Sequence, residues 1–289
     1  MSGKIKVIKK TGTTAKSFPD VMTNFLQGSI DAVILERLKQ QINGTIKDYP
    51  ASQEYIDFCC VYGELVKQYK RKKELIQNAM EFLEESAIPA KIEIDWLEFF
   101  FEKAKLVVNE DMKLIWSKIL AEEANEPGKI SLSLLHALSV MRYDQAEFFC
   151  NISRFAFRSY RSNDVTLLLF VATNRASYER SRITPKKLKE LERLGLIECD
   201  FNTEYVFKDG YHDITKKRFI SGSHIMTVWG DPQDGGKIRA GNIQFTKDGR
   251  ALYDIIDSNY RKYRNDIFEF TARKFAKRNC RVEIDAREF

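Results

Sequence analysis

The 289-residue chain has little of what usually carries a catalytic or membrane function. The longest apolar run, residues 167–172, falls far short of the roughly 18 residues a membrane span needs. Its basic start, MSGKIKVIKK, is not followed by a long apolar core, so no secretory signal is read and a cytoplasmic location is expected. Five cysteines (Cys59, Cys60, Cys150, Cys199, Cys280) contain no C-x-x-C spacing. Cys59 and Cys60, adjacent on a helix, point about 100° apart, which suits buried free thiols better than a disulfide or a metal site. Only three histidines occur, and His136, His212 and His224 have no metal-ligand spacing, so neither metal nor cofactor is expected. His136 sits among leucines and reads as a core or boundary residue. Gly235-Gly236 and Gly241 form no phosphate loop, and no serine has a nucleophile-elbow context. The carboxylate groups Glu84-Glu85 and Glu122-Glu123 with Glu126 read as solvated helix ends. No catalytic residue is assigned.

What is present is ordinary globular composition, 44% hydrophobic and 30% charged, with a net charge of +6. That charge is unevenly placed. Residues 1–150 carry 20 Lys/Arg against 22 Asp/Glu, whereas residues 151–289 carry 27 against 19. A basic C-terminal half beside a near-neutral half suits a polyanionic partner.

Residues 1–28, poor in large apolar groups, read as a flexible arm. Ile30, Val33, Ile34, Leu38 and Ile42 then form a helical stripe that Asn43-Gly44 ends. A long helix is expected over residues 52–86, either breaking at Lys70-Arg71-Lys72-Lys73 or projecting about 50 Å to pack against a partner chain. Asp95 is expected to cap a helix over 96–107 with an aromatic face of Trp96, Phe99 and Phe100, leaving Phe101 off the stripe and exposed. Asn109 and Ser131 start two more helices, and a further amphipathic stretch covers 143–157. After residue 163 the character changes. A buried strand or short helix at 165–172 precedes a helix opened by Thr184-Pro185 and closed by Gly195. Strands at 204–207, 224–229 and 237–246, helices from 246 and over 266–277, and a last strand at 281–284 complete the pattern. The expectation is an α+β protein: a flexible arm (1–28), an N-terminal α-helical bundle (29–162) and a winged-helix-like C-terminal domain (163–289).

The most specific stretch joins Trp116, Ile119, Leu120, Ala121 and Glu123 to a Pro127-Gly128 stop and a fresh start at Ser131. Together with Asp95-Trp96-Leu97, Phe100, Ala104 and Asn109-Glu110-Asp111-Met112, it resembles a bacterial family of uncharacterised proteins, the domain-of-unknown-function family 2806. Leu191-x-x-Leu194-Gly195-Leu196-Ile197 and Phe245-Thr246-x-x-Gly249-x-x-Leu252 are similar to its C-terminal region. The resemblance spans about residues 90–285. It implies the fold and a bacterial or mobile-element origin, such as a phage-related defence system, and it brings no catalytic residue. Trp96, Trp116, Leu120, Glu123, Pro127, Gly128 and Gly195 are expected to be structural, with Glu123 bonding across the hairpin.

The helix at 184–195 followed by strands reads as the recognition helix and wing of a winged-helix module. Arg180, Arg182, Lys186, Lys187 and Lys189 would supply the helix charge; Lys208, Lys216, Lys217 and Arg218 would sit on the wing. The function expected first is non-enzymatic, a sensor or adaptor that binds a protein partner or self-associates through helices 29–86. The alternatives are nucleic-acid binding by the basic half and an enzyme with an unrecognised site.

Overall fold

The computed structural model describes residues 13–28, 36, 53–105, 107–160, 165–169, 183–209, 212–213, 215–221, 224–260 and 265–286. They form an α+β protein of two compact units, Met1–Leu135 and His136–Phe289. The division falls at 135/136 where the sequence pattern suggested 162/163, because the helix over 143–153 packs on the helix over 185–193 in the second unit. No helix among the described residues is long and apolar enough to cross a membrane.

The first unit is helical. Helix α1 (Thr13–Gly28) buries Phe18, Met22 and Leu26, a strict i, i+4, i+8 stripe. The flexible arm expected over 1–28 is therefore a packed helix from Thr13 onward. The helical stripe expected over 30–42 lies outside the described residues, Glu36 apart, and with it much of the proposed self-association surface. Helix α2 (Gln53–Ala79) runs unbroken through the basic cluster for about 40 Å, then tightens into a 3-10 turn at Met80–Phe82, short of residue 86. The cluster does not break it: straight-chain Lys and Arg are good helix formers, and Arg71 Nη1 donates to the Lys105 carbonyl at 3.0 Å.

Helix α3 (Ile94–Ala104) begins after Glu93, and Asp95 does not cap it but lies in its first turn, where a negative charge complements the helix dipole. Phe101 is buried rather than exposed, because Phe25 of α1 stacks on it at 5.4 Å. The half-exposed ring is Phe99, under the Lys103 ammonium. Helix α4 (Glu110–Asn125) is capped by Asn109, which accepts from the Met112 N–H at 3.1 Å. Helix α5 (Leu132–Val140) is started by Ser131 Oγ, which accepts from the Leu134 N–H at 3.0 Å. Lys113 ties α4 to α2, reaching Glu74 at 3.0 Å and Glu110 at 2.9 Å.

In the second unit, helix α6 (Tyr143–Ser153) ends earlier than expected, and β1 (Ala156–Ser159) turns Phe157 into a sheet core. Strand β2 (Val165–Leu167) follows, with Leu168 and Leu169 buried; residues 170–172 lie outside the described set. Helix α7 (Pro185–Arg193) precedes β3 (Ile197–Cys199), the short strands β4 (Tyr205–Val206), β5 (Lys208–Asp209) and β6 (His212–Asp213), and the longer β7 (Lys216–Ser221) and β8 (His224–Trp229). Strands β9 (Arg239–Gly241) and β10 (Ile243–Phe245), helices α8 (Lys247–Tyr260) and α9 (Asn265–Ala276), and β11 (Arg281–Ala286) complete it. The main sheet is antiparallel in the order β11-β8-β7-β1-β2, while β3 pairs with β10, β4 with β9 and β5 with β6. Strand β3 thus finds its partner not in the next strand but beyond the segment that supplies β7 and β8 to the main sheet.

Register places Phe219, Met226, Val228 and Phe157 on one face of the main sheet, and α9 packs there through Phe268 and Phe275. The Phe268–Phe157 and Phe275–Phe219 ring centroids lie 5.7 and 6.2 Å apart. Because side chains alternate along a strand, the neighbouring residues belong to the opposite face.

Candidate nucleic-acid interface

Helix α7 is well terminated. Thr184 Oγ1 accepts from the Lys187 N–H, Pro185 occupies the first turn, and Gly195 at φ +73° lets Leu196 N–H reach back to the Leu191 carbonyl. The two motifs at its end interlock. Thr246 Oγ1 donates to the Gly195 carbonyl at 2.5 Å and accepts from the Gly249 N–H at 3.0 Å. Gly249 is glycine because a Cβ there would lie 1.8 Å from the Leu196 carbonyl oxygen. These residues hold α7, β3 and α8 together.

The basic groups of α7 are largely engaged within the unit. The Lys187 ammonium sits over the Phe148 ring at 5.3 Å. Lys189 lies over Phe201 and pairs with Glu192 at 2.6 Å, which raises the Lys189 pKa and lowers that of Glu192. Glu190 accepts from Arg142 at 3.2 Å. Lys186 is exposed, and Arg180 and Arg182 lie outside the described residues. On this helix Lys187 and Lys189 thus also meet partners within the unit, while Lys186 and Lys189 remain exposed.

The cations of β7 divide by face. Lys217 lies opposite the buried Val228, on the core side, with its ammonium over Phe207 at 5.2 Å. Lys216 and Arg218 belong to the other face. Cross-strand register lines up Lys216, Trp229 and Arg281 in one row and Arg218, Thr227 and Glu283 in the next. Trp229 is flanked from both neighbouring strands: Lys216 Nζ lies 4.9 Å and Arg281 Cζ 4.8 Å from its ring centroid. Arg218 sits over Tyr160, 45% exposed, at 5.5 Å. At the β1 side of this face Arg158 bonds Asp254 at 2.7 Å and lies over Tyr253. Arg281 also pairs with Glu283 on its own strand. The outer face therefore interleaves exposed cations with aromatic rings, an arrangement able to hold phosphates and planar groups together. Trp229, Arg281, Arg158 and Tyr160 carry it beside the expected Lys216 and Arg218. The strands at 224–229 and 281–284 were legible; the pairing that unites them was not.

A cavity of about 310 Å³ lies elsewhere in this unit, lined by Glu204, Asp231, Asp234, Lys237, Arg239 and Arg278. Arg278 grips Glu204 (Nη2–Oε1 2.5 Å), and Arg239 meets Asp234 at 2.5 Å, so much of its charge is neutralised internally. The Cys280 thiol at its wall is pushed up by burial, and Cys199 is pushed up to about 12, also by burial first. Neither is a ready thiolate. Cys60 is exposed, contrary to the expectation of buried thiols, and His136 is exposed rather than packed among its leucines. His212 lies in β6 and His224 in β8, and no group of three or more His, Cys, Asp or Glu among the described residues is placed to hold a metal ion.

The hairpin of the first unit is structural in every contact seen. Glu123, 2% exposed, accepts from the Gly128 N–H at 2.6 Å and the Ile130 N–H at 2.9 Å. Burial pushes its carboxyl above the ordinary range, and these two N–H groups oppose the shift. Trp96 Nε1 donates to the Ile130 carbonyl at 2.9 Å. Pro127 and Gly128, the latter at φ +86°, make the turn that Glu123 clasps. Trp116 and Leu120 are fully buried.

The model of the family described as "Protein of unknown function (DUF2806)" matches residues 64–267, more than two thirds of the chain. Its match begins inside α2, earlier than the motifs alone suggested. No curated protein and no solved structure matches the chain.

Proposed function

The chain belongs to this family of unknown function, and from that premise we propose that it is a non-enzymatic interaction protein whose second unit binds nucleic acid. The observation that carries the reading is the outer sheet face, where Lys216 and Arg281 stand in register on either side of Trp229 and Arg218 follows in the next row over Tyr160. The excess of Lys/Arg over Asp/Glu in residues 151–289 supports it. In this reading the first unit is a helical bundle serving protein contacts, as in a sensor or adaptor. The second is a winged-helix-like fold, with α7 as its third helix and β3 and β10 as wing strands. The segment between those strands is an insertion that supplies β7 and β8, and so the binding face.

Phosphate contacts release counterions, so affinity falls with salt at a log–log slope of about −0.7 per phosphate on single strands and −0.9 on duplex. Three exposed cations give a slope of about −2 or steeper on a single strand. Fluorescence anisotropy with a labelled oligonucleotide across a salt series tests this. The variant Lys216→Glu/Arg218→Glu/Arg281→Glu should flatten the slope while its circular dichroism stays native. An unchanged slope in the folded variant overturns the reading.

A further inference from the structure

We infer that the outer face selects single-stranded nucleic acid and that Trp229 is its base-stacking residue. This rests on the nucleic-acid reading above and deepens it. Charge alone would bind duplex and single strand alike through their phosphates; a ring set between two cations adds a platform for a flat, exposed base. Trp229 stands in β8, an interior strand of the sheet, with Lys216 and Arg281 directly opposite it on the two neighbouring strands. Both cations are solvent-exposed, the Arg281 side chain at 72%. Their contacts with the ring are of the weak, exposed kind, so an arriving base displaces one cation from the ring and releases it to a phosphate. Arg218 over Tyr160 repeats the unit one row along and on the far side of β7, about 12 Å away by strand spacing and rise. Two cation–aromatic units at that separation suit a flexible single strand, whose bases splay out; stacked duplex bases offer no face to either ring.

Three probes separate the possibilities: a twelve-nucleotide oligothymidylate, an abasic deoxyribose-phosphate chain of equal length, and a duplex of that length. Affinity is read by anisotropy, and tryptophan fluorescence is read in parallel. Trp96 and Trp116 are buried in the first unit, so quenching on binding reports Trp229. The expected result is oligothymidylate bound about tenfold more tightly than the abasic chain, with quenching. Trp229→Leu should abolish that difference, while Trp229→Phe retains most of it. Equal affinity for oligothymidylate and abasic chain, or preference for the duplex, overturns the stacking assignment while the nucleic-acid reading survives. Binding of none of the three overturns both. The wild-type quenching measurement stands even where Trp229→Leu fails to fold.

Discussion

Trp116 offers the sharpest test of how the first unit is held together. Its indole is fully buried, with Phe100 edge-on at 5.3 Å. Phe100 in turn stacks on Trp96 at 5.2 Å and meets Phe101 at 5.1 Å. Truncation to alanine removes the largest side chain of this cluster and leaves a cavity that rigid aromatic neighbours fill poorly, which costs about 3–5 kcal/mol. The Trp116 Nε1–H has no hydrogen-bond partner among the described residues. Phenylalanine therefore gives up some volume but also removes an unpaired buried donor, and should cost only about 1–2 kcal/mol. Urea unfolding followed by far-ultraviolet circular dichroism measures both, and Trp116→Ala should lower the melting temperature of this unit by on the order of 10 °C. Unchanged stability in Trp116→Ala would refute the burial argument. Equal losses in the two variants would refute the argument that lost volume sets the cost.

Glu123→Ala leaves the Gly128 and Ile130 N–H groups unpaired and should cost about 2–4 kcal/mol by urea unfolding, with full stability in the variant as the refuting result. Burial holds the Glu123 carboxyl above its ordinary value of 4.5, so folding favours its protonated form. Its contribution is complete below the unfolded pKa and is lost as pH rises through the folded one, so the stability advantage of wild type over Glu123→Gln should shrink as pH rises above about 4.5; a constant difference contradicts this. Gly249→Ala should destabilise the second unit by about 3 kcal/mol or prevent its folding, because the added Cβ meets the Leu196 carbonyl; a melting curve equal to wild type would refute that contact. In native protein iodoacetamide should alkylate Cys60 rapidly and leave Cys199 and Cys280 intact until urea is added, as read by peptide mass spectrometry, and fast native labelling of Cys199 would contradict its elevated pKa.

Much of the local structure was legible because it rests on short-range rules. Asn109 and Ser131 declare helix starts by capping chemistry, Gly195 declares a stop by its left-handed backbone, and the strand over 224–229 follows from apolar and β-branched residues. What failed depended on partners distant in sequence. Phe101 looked exposed because its cover, Phe25, belongs to a helix in a segment poor in large apolar groups. The helical period continues past Ser153 in the sequence, whereas β1 is extended because it pairs with β2 and β7. The contacts of Lys187 and Lys189 on α7 were equally hidden, because Phe148, Phe201 and Glu192 reach them only after folding. The Trp229 row, for the same reason, exists only once β7, β8 and β11 lie in register.

In the proposed reading nucleic acid is held by the sheet face and not by α7, and equal charge changes at the two places distinguish them. Lys216→Glu/Arg218→Glu and Lys186→Glu/Lys189→Glu are compared with wild type by anisotropy on one oligonucleotide at fixed salt, each first checked for native circular dichroism. Loss of binding in the sheet variant, with near wild-type affinity in the helix variant, is the result expected. Loss in the helix variant, with the sheet variant unaffected, would contradict the account and return the interface to α7.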